Sequence, residues 1–510
     1  MSMTRKTILL LAAASATLAG CNMAPKYVRP VGAVPATLPQ GGVYPAAASD
    51  APDVTKIGWR SFFTDPRLQR VIALGLDNNR DLRVAAANVL QARAQYRVQR
   101  ADLVPGTTIS GSGTYTNNLF GAVGASGAAA GGAAGGTGAG TGAGTGSGVG
   151  TGAGTGGTGA SVGTGGSSNL QFYSVNAGFS AFELDLFGRI RNLSRAALEQ
   201  YFASEEAQRT TRISLIAEIA TAWLTLASDQ DQLRISEGTL AAFKQTYDLT
   251  SAQFRIGVAS ELEARQAETN YQSARNDIAA LKTRIAQDQN ALNLLAGTTV
   301  TADMLPTGLG TGDATIANLP TGVASDVLLR RPDVLQAEHQ LIAQNANIGA
   351  ARAALFPRIS LTATLGTISS ALSGLFAGGS FTYTGAPSIS APLFDGGRLR
   401  GNLDYAKASQ QAAVATYEKT VQTAFREVAD ALAQRGTIDE QVAAQTARAN
   451  AASVAARLSD ARYRAGVDSF LTTLDAQRTA YAAQQQLVTT RLSRGSNLVE
   501  LYRSLGGGLE

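Results

Sequence analysis

Phe254-Arg255-Ile256-Gly257-Val258-Ala259-Ser260 is answered 209 positions later by Tyr463-Arg464-Ala465-Gly466-Val467-Asp468-Ser469 (463 less 254). The same interval separates Gly188-Arg189-Ile190 from Gly397-Arg398-Leu399. Further towards the N-terminus, a helical pattern opens at Asn79-Arg80-Asp81-Leu82 and stops at Pro105. It returns at Arg331-Pro332-Asp333-Val334 and stops at Pro357, 252 positions on at both ends (333 less 81, 357 less 105). The two intervals differ by 43, close to the length of residues 121–166, a tract built only of Gly, Ala, Thr, Ser and Val. Self-similarity at fixed offsets marks two copies of one structural unit. The first copy carries a low-complexity insertion.

Each unit reads helix, strand, turn, strand, long helix, turn, helix. Ile359, Leu361, Ala363 and Leu365 alternate with Ser360, Thr362 and Thr364, and Phe381, Tyr383, Ile389, Ala391 and Leu393 continue the period on the return strand. In the first unit Tyr173, Val175, Ala177 and Phe179 alternate with Ser174, Asn176, Gly178 and Ser180. Apolar-out, polar-in alternation over about ten residues is what a transmembrane barrel strand requires. Residues 188–255 hold no proline, and their only interior glycine is Gly238. Ile219, Leu226, Leu233, Leu240, Tyr247 and Phe254 recur every seventh position, a coiled-coil period. At roughly 1.5 Å per residue such a helix is on the order of 100 Å long, which suits a tube crossing a compartment. Four strands cannot close a barrel, and an open edge in lipid leaves backbone groups unpaired. Three chains supplying twelve strands make the smallest assembly wide enough to conduct.

Composition limits the chemistry. The 510 residues are 45% hydrophobic and only 16% charged, with one histidine, His339, and one cysteine, Cys21. A zinc site takes three or four ligands, and a Ser-His-Asp triad would have to recruit that one histidine. The net charge of +5 is spread thinly, without the basic patch of a nucleic-acid binder. The glycine tract lacks the lysine and spacing of a phosphate loop. No enzyme, metal site or cofactor is expected.

The N-terminus reads as a processing signal: Arg5 and Lys6, an apolar run from Ile8 to Leu18, then Leu18-Ala19-Gly20-Cys21. This pattern matches a lipobox, with Cys21 acylated as the mature N-terminus, and Asn22 rather than Asp after it favours the outer membrane. Loss of Arg5 and Lys6 takes the charge from +5 to +3.

Taken together, these motifs make the chain resemble the TolC-like outer membrane factors, in the OprM-like branch of efflux outer-membrane lipoproteins. Leu328-Leu329-Arg330-Arg331-Pro332-Asp333-Val334 is similar to that branch's equatorial signature, and Tyr463 to Ser469 with Leu471 and Leu474-Asp475-Ala476-Gln477-Arg478 to its periplasmic tip. The long tract 121–166 departs from the family's short surface loop. The resemblance implies a mainly α chain with a transmembrane β-barrel: four strands per chain in a trimeric twelve-stranded barrel, and long coiled-coil helices forming a periplasmic α-barrel. It implies a passive duct exporting small toxic compounds, working with a periplasmic adaptor protein and an inner-membrane RND-type pump. By the same resemblance Gly257, Val258, Ser260, Gly466, Val467 and Ser469 form the adaptor-contact tip, and Leu471, Asp475 and Arg478 the periplasmic gate. The expected organisation is a signal peptide at 1–20, an N-terminal segment at 21–64 and a first repeat at 65–300 with strands near 106–119 and 170–184. A linker at 301–325, a second repeat at 326–505 with strands near 358–367 and 381–393, and a tail at 506–510 follow. The competing reading is a trimeric surface-anchored adhesin or structural coiled coil displaying the glycine tract. Strand pairs duplicated between long helices speak against it.

Overall fold

The computed structural model describes residues 22–35, 37–45, 57–116, 170–309 and 325–507. Cys21 and the tract 121–166 lie outside them. The elements run α1 (Trp59–Phe62), α2 (Pro66–Asn78), α3 (Arg80–Ala101), β1 (Thr108–Thr116), β2 (Leu170–Leu184), α4 (Arg189–Arg255) and α5 (Glu261–Ala296). After a 3-10 turn at Ser325–Arg330 come α6 (Pro332–Ala353), β3 (Arg358–Ser369), β4 (Phe381–Ser390), α7 (Arg398–Arg464) and α8 (Phe470–Ser504). The repeat is literal in these bounds. Helices α3 and α6 both have 22 residues, and α4 and α7 both have 67, each pair at the offset read from the sequence.

The chain divides into two compact units, and each draws segments from both repeats. The first comprises Met1–Lys26, Gln95–Ala196 and Asn345–Lys407. It holds one antiparallel sheet in the order β1-β2-β3-β4, so β1 and β4 are its edges. One face carries Ile109, Tyr173, Val175, Leu361, Leu365, Phe381, Tyr383 and Ile389. The opposite face is lined by short hydroxyl side chains, with Ser112 bonded to Ser174 (2.9 Å) and Ser360 to Ser388 (2.7 Å). Alternation alone would turn Phe182 and Leu184 onto that polar face. The structure prevents this with a β-bulge: Phe179 pairs with Ala363 but Phe182 with Leu361, and Ala181 sits between at φ 52°. One extra residue on one strand shifts the phase by one, so Phe182 and Leu184 rejoin the apolar face. The backbone N–H of Ala181 donates to Thr362 Oγ1 (3.0 Å), which holds the irregularity in place.

The second unit comprises Tyr27–Ala94, Ala197–Gln344 and Ala408–Glu510 and contains the main apolar core. Phe62 and Phe63 are fully buried, with Phe62 stacked on Tyr502 at 4.0 Å. Asp65 caps α2 by accepting from Arg67 N–H (2.7 Å), with Pro66 at the first helical position, so Leu68, Val71 and Ile72 face inward. The seven-residue period of α4 persists in the structure. Ile219 and Leu226 are buried, and further along it is the companion row, Asp229, Ser236, Phe243 and Thr250, that the chain itself covers. Phe254, last of the row read from the sequence, is exposed.

Arg331 explains why its motif is so charged. Its guanidinium is buried and held by Asp333 (3.0 and 2.7 Å), Glu427 (2.8 Å) and the carbonyl of Ser504 (2.6 Å). In the first repeat the corresponding residue is Asn79, whose amide donates to the corresponding carbonyl, that of Leu295 (2.9 Å). Both side chains tie the start of a short helix to the end of the unit's last helix. Removing one partner of a fully buried ion pair costs about 3–5 kcal/mol; here Asp333 and Glu427 are partly exposed and Glu427 keeps Arg503 at 3.5 Å, so the cost of losing Arg331 falls below that range. Arg503, which bonds Glu500 (2.5 Å) at a more exposed position, should matter far less. Thermal melts of the detergent-solubilised protein check this: Arg331→Ala should lower the melting temperature well below that of Arg503→Ala, and equal melting temperatures would remove Arg331 from this role.

Candidate functional site

The two long hairpins reverse in the same way. In the first, Gly257 at φ 77° lets its N–H reach Phe254 O (3.0 Å) while Val258 N–H reaches Gln253 O (2.9 Å). In the second, Gly466 at φ 74° bonds Tyr463 O (2.9 Å) and Val467 bonds Arg462 O (2.9 Å). This is the Schellman arrangement, which needs a left-handed residue that glycine adopts without strain. Ser260 then caps α5 in a full capping box, accepting from Glu263 N–H (3.2 Å) while Glu263 Oε2 accepts from Ser260 N–H (2.8 Å). Ser469 caps α8 through Thr472 N–H (3.2 Å), but Thr472 has no carboxylate to return the bond. There the turn is braced differently: Arg462 grips Asp468 with two bonds of 2.9 Å, holding the Asp468 carboxyl below the usual carboxylate range.

These turns leave apolar side chains in the open. Val258 is 71% exposed and Val467 62%, with Ile256, Leu262 and Leu471 beside them in sequence and also exposed. Beneath lies only a small cluster of Ala267, Phe470 and Leu474, with Tyr247 and Tyr463 packed against it. Ile256, Leu262 and the Arg462–Asp468 clamp were not singled out from the sequence. The clamp had a signal there, since Asp468 stands where the first repeat has Ala259.

Leu471, Asp475 and Arg478 lie together on the exposed face of α8. Asp475 and Arg478 do not pair with each other, and neither has an ion-pair partner among the described residues. The matching residues of α5 are Leu262, Gln266 and Thr269, so the apolar residue is shared by both repeats and the charges belong to the second alone. Behind this face α8 is held by a polar seam at helical spacing. Thr473 meets Ser459 on α7 (3.2 Å), Gln477 donates to Thr246 on α4 (3.3 Å), and Gln484 donates to Ser453 on α7 (3.0 Å). Tyr481 donates to Asp277 on α5 (3.0 Å) and bonds Ser236 on α4 (2.8 Å); burial pushes its hydroxyl up to about 12. His339 pairs with Glu199 (2.8 Å) beside Phe202, a packing role without a nucleophile beside it. Among the described residues there is no cluster able to hold a metal ion, and no helix long and apolar enough to cross a membrane.

Comparison with known proteins agrees with this geometry. Residues 71–298 and 323–507 match the model of the outer membrane efflux protein family. The toluene efflux pump outer membrane protein TtgC of Pseudomonas putida is 43% identical over 504 residues, covering 99% of this chain and 96% of that protein. Among solved structures, a membrane protein from Pseudomonas aeruginosa superposes with a TM-score of 0.80 at 37% identity, covering 96% of this chain and 98% of that one. The open state of the Neisseria gonorrhoeae MtrE outer membrane channel gives 0.79 at 35% identity, covering 96% and 99%. With a strand meander and two long helical hairpins, and by its match to these proteins, the chain belongs to the outer membrane efflux protein family and is an outer-membrane channel protein rather than an enzyme.

Proposed function

We propose that three copies of this chain form the exit duct of a tripartite efflux system, anchored in the outer membrane by an acylated Cys21 as well as by the barrel. A periplasmic adaptor and an inner-membrane RND-type pump supply the cargo and the energy. The observation that carries this reading is the sheet: four strands with an apolar face, a hydroxyl-lined face and two free edges. It becomes compatible with lipid only when closed by further copies. Cargo of small apolar or amphipathic toxic compounds follows from the relatives, one of which is named for toluene efflux. Deleting the gene should lower the inhibitory concentration of such compounds several-fold in a panel of solvents, dyes and antibiotics. Unchanged susceptibility across the panel, in a strain shown to express the protein, would oppose an efflux role.

The exposed valines Val258 and Val467, set on glycine turns with Ser260 and Ser469 starting the returning helices, offer the adaptor a rigid apolar contact. Leu471, Asp475 and Arg478 form the gate. Asp475 and Arg478 are unpaired among the described residues, and three-fold symmetry gives them partners on neighbouring copies. Asp475→Ala should leave assembly intact and raise single-channel conductance in planar bilayers several-fold, since the remaining Arg478 charges repel. Leu471→Ala should add to this by widening an apolar constriction. Assembled Asp475→Ala trimers with the parent's conductance would reduce Asp475 to a surface charge.

Anchoring is tested separately. Mass spectrometry of the mature protein should find Cys21 as the first residue, carrying acyl chains. An unmodified N-terminus at another residue would defeat the lipoprotein assignment.

A further inference from the structure

The four strands carry two charged residues between them, Glu183 and Arg358, both at the end where strands give way to helices. Both lie on the hydroxyl face. Glu183 pairs across with Ser360, whose hydroxyl bonds Ser388 on that face (2.7 Å). Arg358 stands two residues before Ser360 on the same strand, so the period of two places it on the same side. Glu183 is already neutralised, since Arg189 grips it with bonds of 2.8 and 2.6 Å. The carboxylates just beyond β2 and β4 are engaged as well. Asp185 accepts from the backbone N–H of Arg191 (2.8 Å) and Asp395 from that of Leu399 (2.8 Å), each at the start of a long helix. Arg358 is exposed and has neither a hydrogen bond nor an ion pair among the described residues.

The repeat does not require this charge. At the offset of 252 the matching residue is Gly106, where an added Cβ would meet nothing within 4 Å. Each chain therefore contributes one such arginine where the fold has room for two. Nor do the surroundings cancel it. Across the described residues of this unit eleven side chains are Lys or Arg and five are Asp or Glu, a surplus of six (11 less 5), against a net charge of +5 for the whole chain.

We propose that Arg358 sets a charge preference in the trimeric duct read above, on which this inference rests. Three copies of it line the base of the barrel and favour organic anions, such as carboxylates and sulfonates, over organic cations. Elsewhere the hydroxyl face offers Ser, Thr, Gly and Asn, which bond ions of either sign and select neither. A fixed charge on a low-dielectric wall raises the local concentration of the opposite sign. Its reach is a Debye length, about 10 Å at 0.1 M salt and about 30 Å at 0.01 M, so the preference strengthens as salt falls. Uncharged cargo is unaffected.

Reversal potentials in planar bilayers under a salt gradient give the ratio of anion to cation permeability. They are recorded at low salt with potassium chloride and potassium benzenesulfonate, in the parent and in an Asp475→Ala background, so that a closed mouth does not mask the barrel. Arg358→Gln should lower the ratio about twofold for both salts, and Arg358→Lys should keep it. Gly106→Arg, which adds a second ring at the repeat-matched position, should raise it. These differences should close at 1 M salt. Ratios unmoved by Arg358→Gln and by Gly106→Arg in both backgrounds overturn the proposal, and a shift for chloride alone overturns the preference for organic anions. Placement is read independently with membrane-impermeant thiol reagents, because the chain's single cysteine lies at the lipobox. In reconstituted protein Arg358→Cys should be labelled and Ile359→Cys, on the apolar face, should not. Labelling of Ile359→Cys alone would overturn the barrel reading itself, whereas labelling of Arg358→Cys with unmoved ratios leaves the barrel standing and removes only the charge preference.

Discussion

A β-strand edge in hydrocarbon has nothing to bond to. Each unpaired backbone group there costs several kcal/mol, and β1 and β4 each present a full row of them. The rest of the molecule can be understood from that constraint. An apolar face of Ile, Leu, Val and aromatic residues pays no penalty in lipid, but only a closed sheet can stay there. Closure by copies of the same chain needs few strands per chain, and it leaves an interior lined by Ser, Thr and Gly that is wide because it is shared. The bulge at Ala181 belongs to the same logic. Without it the last turns of β2 would point Phe182 and Leu184 into the polar interior and leave the lipid side with their polar neighbours.

The two repeats share a scaffold and differ where the work is done. The pairs α3 and α6, α4 and α7, and α5 and α8 keep their lengths to within a residue, and the paired contacts of Asn79 with Leu295 O and Arg331 with Ser504 O use one geometry with different side chains. The tips also share one turn, yet Glu263 braces the first and the Arg462–Asp468 pair the second. At the positions matched by the repeat, Asp475 and Arg478 on α8 stand where α5 has Gln266 and Thr269, while α5 carries its own charges at Glu261, Glu263, Arg265 and Glu268.

Much of this was legible in the sequence because it follows from spacing. The offsets of 252 and 209 located the helices, and Pro332, Gly257 and Gly466 act by backbone conformation, which a sequence states directly. What spacing could not show was phase. The heptad row from Ile219 to Phe254 has the right period, but the chain covers the companion row over the second half of α4, because which stripe meets a neighbour depends on the partner helix. The bulge was illegible for the same reason: Ser180 and Ala181 look like an ordinary continuation until the strand across from them is known. The burial of Arg331 was hidden as well, since an arginine beside a proline gives no hint of two carboxylates and a carbonyl arriving from distant helices.

The same contacts show where α8 can move most cheaply. Its C-terminal turns bury Leu498, Leu501 and Tyr502, and exposing each of these would cost about 1.5–3 kcal/mol. Its N-terminal turns bury Phe470 and Leu474, at a like cost for each, and are otherwise held by the Thr473, Gln477, Tyr481 and Gln484 bonds. Water can replace such bonds at a net cost of only about 0.5–1.5 kcal/mol each. A displacement of α8 is therefore cheapest at the end carrying Leu471, Asp475 and Arg478. More of the stability is concentrated at the C-terminal end of the helix, so the residues proposed as the gate sit where α8 can shift with least disturbance to the core that Arg331 ties together.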